Sequence, residues 1–198
     1  MSTDGANPAV VPIVRRERRP DRRPQETTRK ILDAVIEELR ESSYSTLTVR
    51  SVATRAGVSS ASAYKYFPTK SSLVAAVYLR LLRAAPLQVD MTDAPKKRVI
   101  DAMQNMAMVI ADQPELTQAC AAALMADDTA VWPILADTAR EVSDRLSAAL
   151  GPGWSDSVQS TLEMTFAGAL MAARYLTYEQ IADQIASAVN LILGASVA

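Results

Sequence analysis

"TVRSVATRAGVSSASAYKYF", residues 48–67, is the stretch that decides how the chain reads. Thr48 has the chemistry of an N-cap, since its hydroxyl can accept from the amides of a first helical turn, here for a helix over Val49 to Ala56. Gly57 follows where a helix end calls for left-handed backbone, a conformation a Cβ resists. Ser59 repeats the capping chemistry for a second short helix that reaches Phe67. Two short helices crossing at about 90–120° need a small residue where the backbones approach, a left-handed turn residue, and apolar anchors on both. Ala53, Gly57 and the set Val52, Ala56, Val58 and Ala63, with Tyr66 or Phe67, meet those needs. Ser60, Ser62, Tyr64 and Lys65 remain for the outer side of the second helix, and all can bond phosphate oxygens or base edges in a major groove. The order of residues therefore encodes a helix-turn-helix suited to a duplex. The same spacing also describes two ordinary short helices with a solvated polar face.

Outside this stretch the composition narrows the choice. The chain has 198 residues, 49% of them hydrophobic, enough for one large domain or two small ones with a real core. It contains no histidine, which excludes histidine-based triads, zinc-peptidase motifs and most transition-metal sites. Its six glycines form no phosphate-cradling loop. Tyr66 and Lys70 have the spacing of a dehydrogenase pair, but Pro68 between them breaks the helix that such a pair requires. The expectation is a protein that is not an enzyme and needs no metal or cofactor. Cys120 is the only cysteine, and no run of apolar residues approaches the roughly 18 of a membrane span, so a cytoplasmic protein with no membrane partner is expected.

The net charge of −1 conceals an asymmetry. Residues 1–70 hold 13 Lys+Arg against 8 Asp+Glu, whereas residues 71–198 hold 8 against 14. The N-terminal third is suited to an anionic partner and the remainder is not. Residues 1–23 read as a disordered basic arm, 24–70 as the helix-turn-helix domain and 71–198 as a second helical domain. A helix carrying Ile31, Ala34, Val35 and Leu39 precedes the opening stretch, and Thr69 caps a helix that stops at Pro86. Helices are then expected near 96–112, 115–126, 130–150, 155–176 and 178–193, so the fold class is all-α.

"TTRKILDAVIEEL" and "YSTLTVRSVATRAGVSSASAYKYFPTKSSLVAAV" together resemble the N-terminal domain of the tetracycline-repressor (TetR) family of bacterial regulators, over nearly all of residues 25–85. The specific part is Leu47 to Leu73, which joins the helix-turn-helix to an F-P-x-K-x-x-L helix opening. Ala61 and Ala63 stand where many members carry glycine and leucine, so base preference is not readable. The resemblance implies an all-helical homodimer whose three N-terminal helices bind a double-stranded DNA operator, with a fourth helix connecting to a ligand-binding and dimerising domain. By this resemblance Thr48, Ser59, Ser60, Ser62, Tyr64, Lys65, Tyr66 and Lys70 are expected DNA contacts. Lys70 and Tyr66 would hold phosphate; Ser60, Ser62 and Lys65 would meet bases. Two recognition helices roughly 34–36 Å apart would then require a nearly palindromic site.

In the second domain "EQIADQIASAVNLIL" sets Ile181, Ile185, Val189 and Ile192 on one stripe, and Ala169 and Ala173 offer close helix approach; these are the expected dimer interface, with internal core as the other reading. A Met-rich apolar set, Met103, Met106, Cys120, Leu124, Met125, Trp132, Phe166 and Leu170, suits an adaptable pocket as well as a loosely specified core, and Glu163 could orient a ligand's polar end. Segments "QPELTQACAAALMADD" and "TYEQIADQIASAVNLILG" resemble those of TetR-type regulators of steroid and fatty-acyl catabolism, which implies a hydrophobic effector: a lipid, a steroid or an acyl-CoA thioester. The expected function is a ligand-responsive repressor released from its operator by such a molecule. The alternative is a constitutive architectural DNA-binding protein without an effector.

Overall fold

The computed structural model describes residues 23–195 apart from residues 88 and 112. The expected basic arm lies outside the described residues except for Arg23, which already belongs to the first helix. Among the described residues there are nine helices and no strands: α1 (Arg23–Glu41), α2 (Val49–Arg55), α3 (Ser60–Tyr66), α4 (Lys70–Ala84), α5 (Pro95–Met108), α6 (Pro114–Leu124), α7 (Trp132–Leu150), α8 (Asp156–Ala172) and α9 (Tyr178–Ala195). The expected all-α architecture, an N-terminal helix-turn-helix unit followed by a C-terminal helical domain, is what the chain adopts. The long helices end within a few residues of the expected bounds, and α8 stops earlier, at Ala172, where the chain turns through Tyr175 and Leu176 toward α9.

The helix-turn-helix follows from local chemistry. The Thr48 hydroxyl accepts from the Ser51 amide at 2.9 Å while the Ser51 hydroxyl accepts from the Thr48 amide at 3.3 Å, a reciprocal capping box that starts α2. At its other end the Gly57 amide donates to the Thr54 carbonyl at 3.1 Å and the Val58 amide to the Ala53 carbonyl at 3.0 Å. These two bonds are a Schellman motif, and they require Gly57 at φ 65°. Ser59 caps α3 through the Ser62 amide at 3.1 Å, and Thr69 with Ser72 forms a second capping box at the start of α4.

Buried Ile31, Leu32, Val35 and Leu39 of α1 join Val52, Ala53, Ala63 and Phe67 with α4's Leu73, Val74 and Val77 in a continuous core. Each of the Val, Leu, Ile and Phe side chains contributes roughly 1.5–3 kcal/mol on full burial. α4 packs on α1 and also on α6 and α7, so it belongs to both halves of the molecule. α1 also touches α6 directly: Ile36 and Leu39 line a surface depression together with Pro114 and Leu116.

Two buried arginines tie helix ends together. Arg98 of α5 donates to the carbonyls of Ala149 at 2.7 Å, Leu150 at 2.8 Å and Asp93 at 2.9 Å, which satisfies the C-terminus of α7 where the chain turns at Gly151. Arg145 of α7 donates to the carbonyls of Leu82 at 2.6 Å and Ala85 at 3.0 Å at the end of α4, and to Glu141 at 2.7 Å.

The expected dimer stripe is corrected by this packing. Ile181, Ile185 and Val189 are 6%, 1% and 0% exposed within a single chain, because that face of α9 lies on the subunit's own core beside α5 and α8. Ile192 is half-buried against the same core. Met164 of α8, Tyr175 in the α8–α9 turn and Leu191 of α9 are the most exposed large apolar side chains among the described residues, each at least three-quarters exposed. No helix among the described residues is long and apolar enough to cross a membrane.

Candidate nucleic-acid interface

α3 presents one buried residue, Ala63, to the core, and the i, i+3, i+4 set Ala61, Tyr64 and Lys65 to the outside. Tyr64 is 48% exposed, a large ring left in solvent. Ser60 is half-buried beside this stripe. Ser62 is half-buried as well, and its hydroxyl oxygen accepts from the Ser59 hydroxyl at 3.0 Å, so both serines are partly committed to the cap that starts the helix. Tyr66 is half-buried and packs against the core, with the Lys65 ammonium 6.0 Å from its ring centre. Thr48 is exposed at the start of α2, with its oxygen engaged in the capping box.

Lys70 has a role that its place in the sequence did not announce. Its half-buried ammonium donates to the carbonyls of Tyr44 at 3.1 Å and Ser45 at 3.5 Å, and it stands 4.5 Å from the centre of the Tyr44 ring. The Tyr44 hydroxyl in turn lies 3.1 Å from the Ser71 hydroxyl. The loop between α1 and α2 is thereby pinned to the start of α4.

Much of the positive charge of this unit is spent within it. Arg55 donates to Glu38 and Glu41, each at 2.5 Å, and this pairing draws the Glu41 carboxyl below its ordinary value. Arg29 and Arg80 share Asp33, Lys30 holds Glu26 and Arg40 holds Glu37. Arg50, Lys65 and Lys70 pair with no carboxylate among the described residues. These three cations sit on α2, α3 and the start of α4, the elements that carry the expected contacts. Arg50 on α2 and Ala61 on α3 are exposed as well, and neither is among the expected contacts named above.

In the C-terminal domain two cavities adjoin through Ala121, Leu124 and Leu170. One, of about 190 Å³, lies among α4, α6, α8 and α9 and is walled by Tyr78, Cys120, Leu124, Leu170 and Ala173. The other, of about 320 Å³, lies between α6, α7 and α8 and is walled by Leu135, Val142, Glu163 and Phe166. Five of the expected pocket residues, Cys120, Leu124, Glu163, Phe166 and Leu170, therefore do face cavities. Met103 and Met106 do not: they are 0% and 1% exposed in close-packed core on α5. Met125 and Trp132 do not either, being 53% and 59% exposed at the end of α6 and the start of α7. Ala169 and Ala173, expected at the dimer face, are part of the wall of the smaller cavity. Glu163 accepts from the Gln159 amide at 3.0 Å. Cys120 is buried, and burial pushes its thiol up to about 12, so it is an inert thiol at neutral pH. Tyr78, which sequence reasoning passed over, is wholly buried at the wall of the smaller cavity.

The sequence profile described as bacterial regulatory proteins, tetR family, matches residues 31–77, which run from the middle of α1 through the helix-turn-helix to the middle of α4. An uncharacterized HTH-type transcriptional regulator of Mycobacterium tuberculosis is 43% identical over 177 residues, which cover 87% of this chain and 83% of the relative, and a Mycobacterium bovis counterpart matches equally. Among solved structures, a TetR transcriptional regulator from Rhodococcus sp. RHA1 superposes with a TM-score of 0.73 at 20% identity, over 85% of this chain and 98% of the other. TylP, a TetR regulator from Streptomyces fradiae, superposes with a TM-score of 0.57 at 19% identity, over 87% of each chain. With an all-helical body, a capped helix-turn-helix at its front and relatives at this level of identity, the chain belongs to the TetR family of bacterial transcriptional regulators.

Proposed function

We propose that the chain is a repressor that binds an operator as a homodimer and leaves it when a hydrophobic small molecule occupies the C-terminal domain. The observation that carries the DNA half of this reading is the set of three cations with no carboxylate partner among the described residues, Arg50, Lys65 and Lys70, grouped with exposed Tyr64 and the serines of α3. Phosphate contacts by Arg50, Lys65 and Lys70 would set register. Ser60, Tyr64 and Lys65 would face base edges, with Thr48, Ser59, Ser62 and Tyr66 supporting the geometry from the caps and the core. Dimerisation is supported by Met164, Tyr175 and Leu191, which leave an apolar surface bare on the α8–α9 side. An effector site is supported by two adjoining cavities, the larger of them mostly apolar and within the size range of small-molecule pockets. An effector could act only through a difference in affinity between the DNA-binding geometry and another.

The experiment is selection of duplexes from a random library, followed by anisotropy titrations across a salt series. Lys65→Ala and Arg50→Ala should each weaken binding to all duplexes and reduce the salt slope by about 1, whereas Tyr64→Ala should change which duplexes are selected. No affinity for any duplex in dilute buffer would sink the reading.

A further inference from the structure

One polar group beside the smaller cavity has nothing to bond. Tyr78 is 0% exposed, and its hydroxyl has no hydrogen-bond partner among the described residues. Buried hydroxyls are nearly always satisfied, because leaving one bare forfeits its bond to water with no return. The rest of this wall is uncharged: Ile110, Leu124 and Leu170 stand beside the Cys120 thiol, and Thr117, Gln118 and Tyr178 add neutral polar groups. Arg145, the cation whose field reaches Tyr78, is committed to the carbonyls of Leu82 and Ala85 and to Glu141. The adjoining cavity adds a single charge, the Glu163 carboxylate, which repels anions.

Resting on the reading of this region as an effector site, we propose that Tyr78 is its polar anchor, and that the effector is a neutral, largely apolar molecule carrying a carbonyl or hydroxyl oxygen that bonds the Tyr78 hydroxyl. Size agrees with this. A cavity of about 150 Å³ holds benzene, so the 190 Å³ beside Tyr78 takes a ring system with its oxygen, and a longer skeleton continues past Leu124 and Leu170 into the second cavity. Of the expected classes, a steroid-like ketone or alcohol fits these walls. A free fatty acid or an acyl-CoA brings carboxylate or phosphate charge that no side chain here balances.

The test is calorimetric titration of the full chain with 1-tetralone, tetralin and 1-naphthoate, on the wild type and Tyr78→Phe. The wild type should bind the ketone most tightly and the carboxylate least. Tyr78→Phe should weaken the ketone about five-fold and leave tetralin unchanged, the loss expected for one neutral hydrogen bond. The unliganded variant should melt at the same temperature as the wild type or higher, since the hydroxyl it loses has no partner. A wild type that does not bind the ketone, equal losses for ketone and hydrocarbon, tightest binding of the carboxylate, or a marked fall in the melting temperature of the variant overturns the assignment. Duplex affinity is measured separately, without and with tetralone. If the calorimetric pattern holds while duplex binding ignores the ketone, the site stands and its role as an effector site falls.

Discussion

Lys70 sits 4.5 Å from the centre of the Tyr44 ring and donates to the Tyr44 carbonyl at 3.1 Å, so one side chain grips both the ring and the backbone of the same residue. The ammonium has three donors, and the carbonyls of Tyr44 and Ser45 engage two of them. Lys70→Ala should therefore act twice. Urea denaturation should show a loss of about 1–2 kcal/mol from the cation–π contact and the carbonyl bonds. Salt titrations should show a duplex-binding slope smaller by about 1. If stability falls while the slope is unchanged, Lys70 serves the loop alone.

Gly57 offers a cleaner experiment on the backbone. A Cβ at this position would meet nothing within 4 Å, so space does not demand glycine and its φ of 65° does. Gly57→Ala should cost roughly 1–2 kcal/mol, the penalty for a left-handed L-residue, measured as a shift in urea midpoint at constant m-value. A much larger loss would mean that the turn between α2 and α3 had rearranged.

Arg98 is expected to be one of the most sensitive positions outside the helix-turn-helix. Arg98→Met keeps most of the buried stem but leaves the carbonyls of Ala149 and Leu150 without a donor. A loss of about 3 kcal/mol is expected from several bare buried acceptors, read as a lower thermal midpoint. Duplex affinity of the folded fraction should hardly change, because the residue ties α5 to α7 and lies far along the chain from α3.

Stability should be flat with pH across the neutral range and fall on both sides of it. The carboxyls of Glu26, Glu41, Asp90 and Asp137 are held below their ordinary values by bonds from Lys30, Arg55, Thr92 and Arg140, respectively. Their folded values lie below the unfolded ones, so their contributions are present above about pH 4.5 and are lost as pH falls through the folded values. Burial raises Cys120 from 9.0 to about 12 and raises Tyr78 as well. Those contributions are complete below about pH 8.5 and are lost as pH rises from there. The chain contains no histidine, the side chain whose ordinary value falls in between. The thermal midpoint should be constant from about pH 5.5 to 8.5; a step near pH 6.5 would contradict this accounting.

The parts that sequence made legible are those fixed by neighbours in the chain. Thr48, Gly57, Ser59 and Thr69 act within four residues of themselves, so their caps and turn could be read from spacing. The face of α9 could not. Periodicity says that Ile181, Ile185 and Val189 share an apolar side, but the same stripe serves a dimer or a core, and only the packing of α5 and α8 decides. Methionine content was a poor guide for a related reason: Met103 fills packed space, and Met125 stands beyond the end of α6. The buried arginines did leave a trace. Arg145 falls on the stripe Val142, Leu146 and Ala149, and Arg98 lies one turn before Ala102, so each is a cation at an inward position. Such a residue needs acceptors, and helix ends supply them, joined for Arg145 by the Glu141 carboxylate.

The contact between Ile36 and Leu39 on one side and Pro114 and Leu116 on the other gives the front unit a second attachment besides α4. A reorientation of the reading head relative to the rear of the subunit would therefore have to shift α1 across α6 as well as move α4.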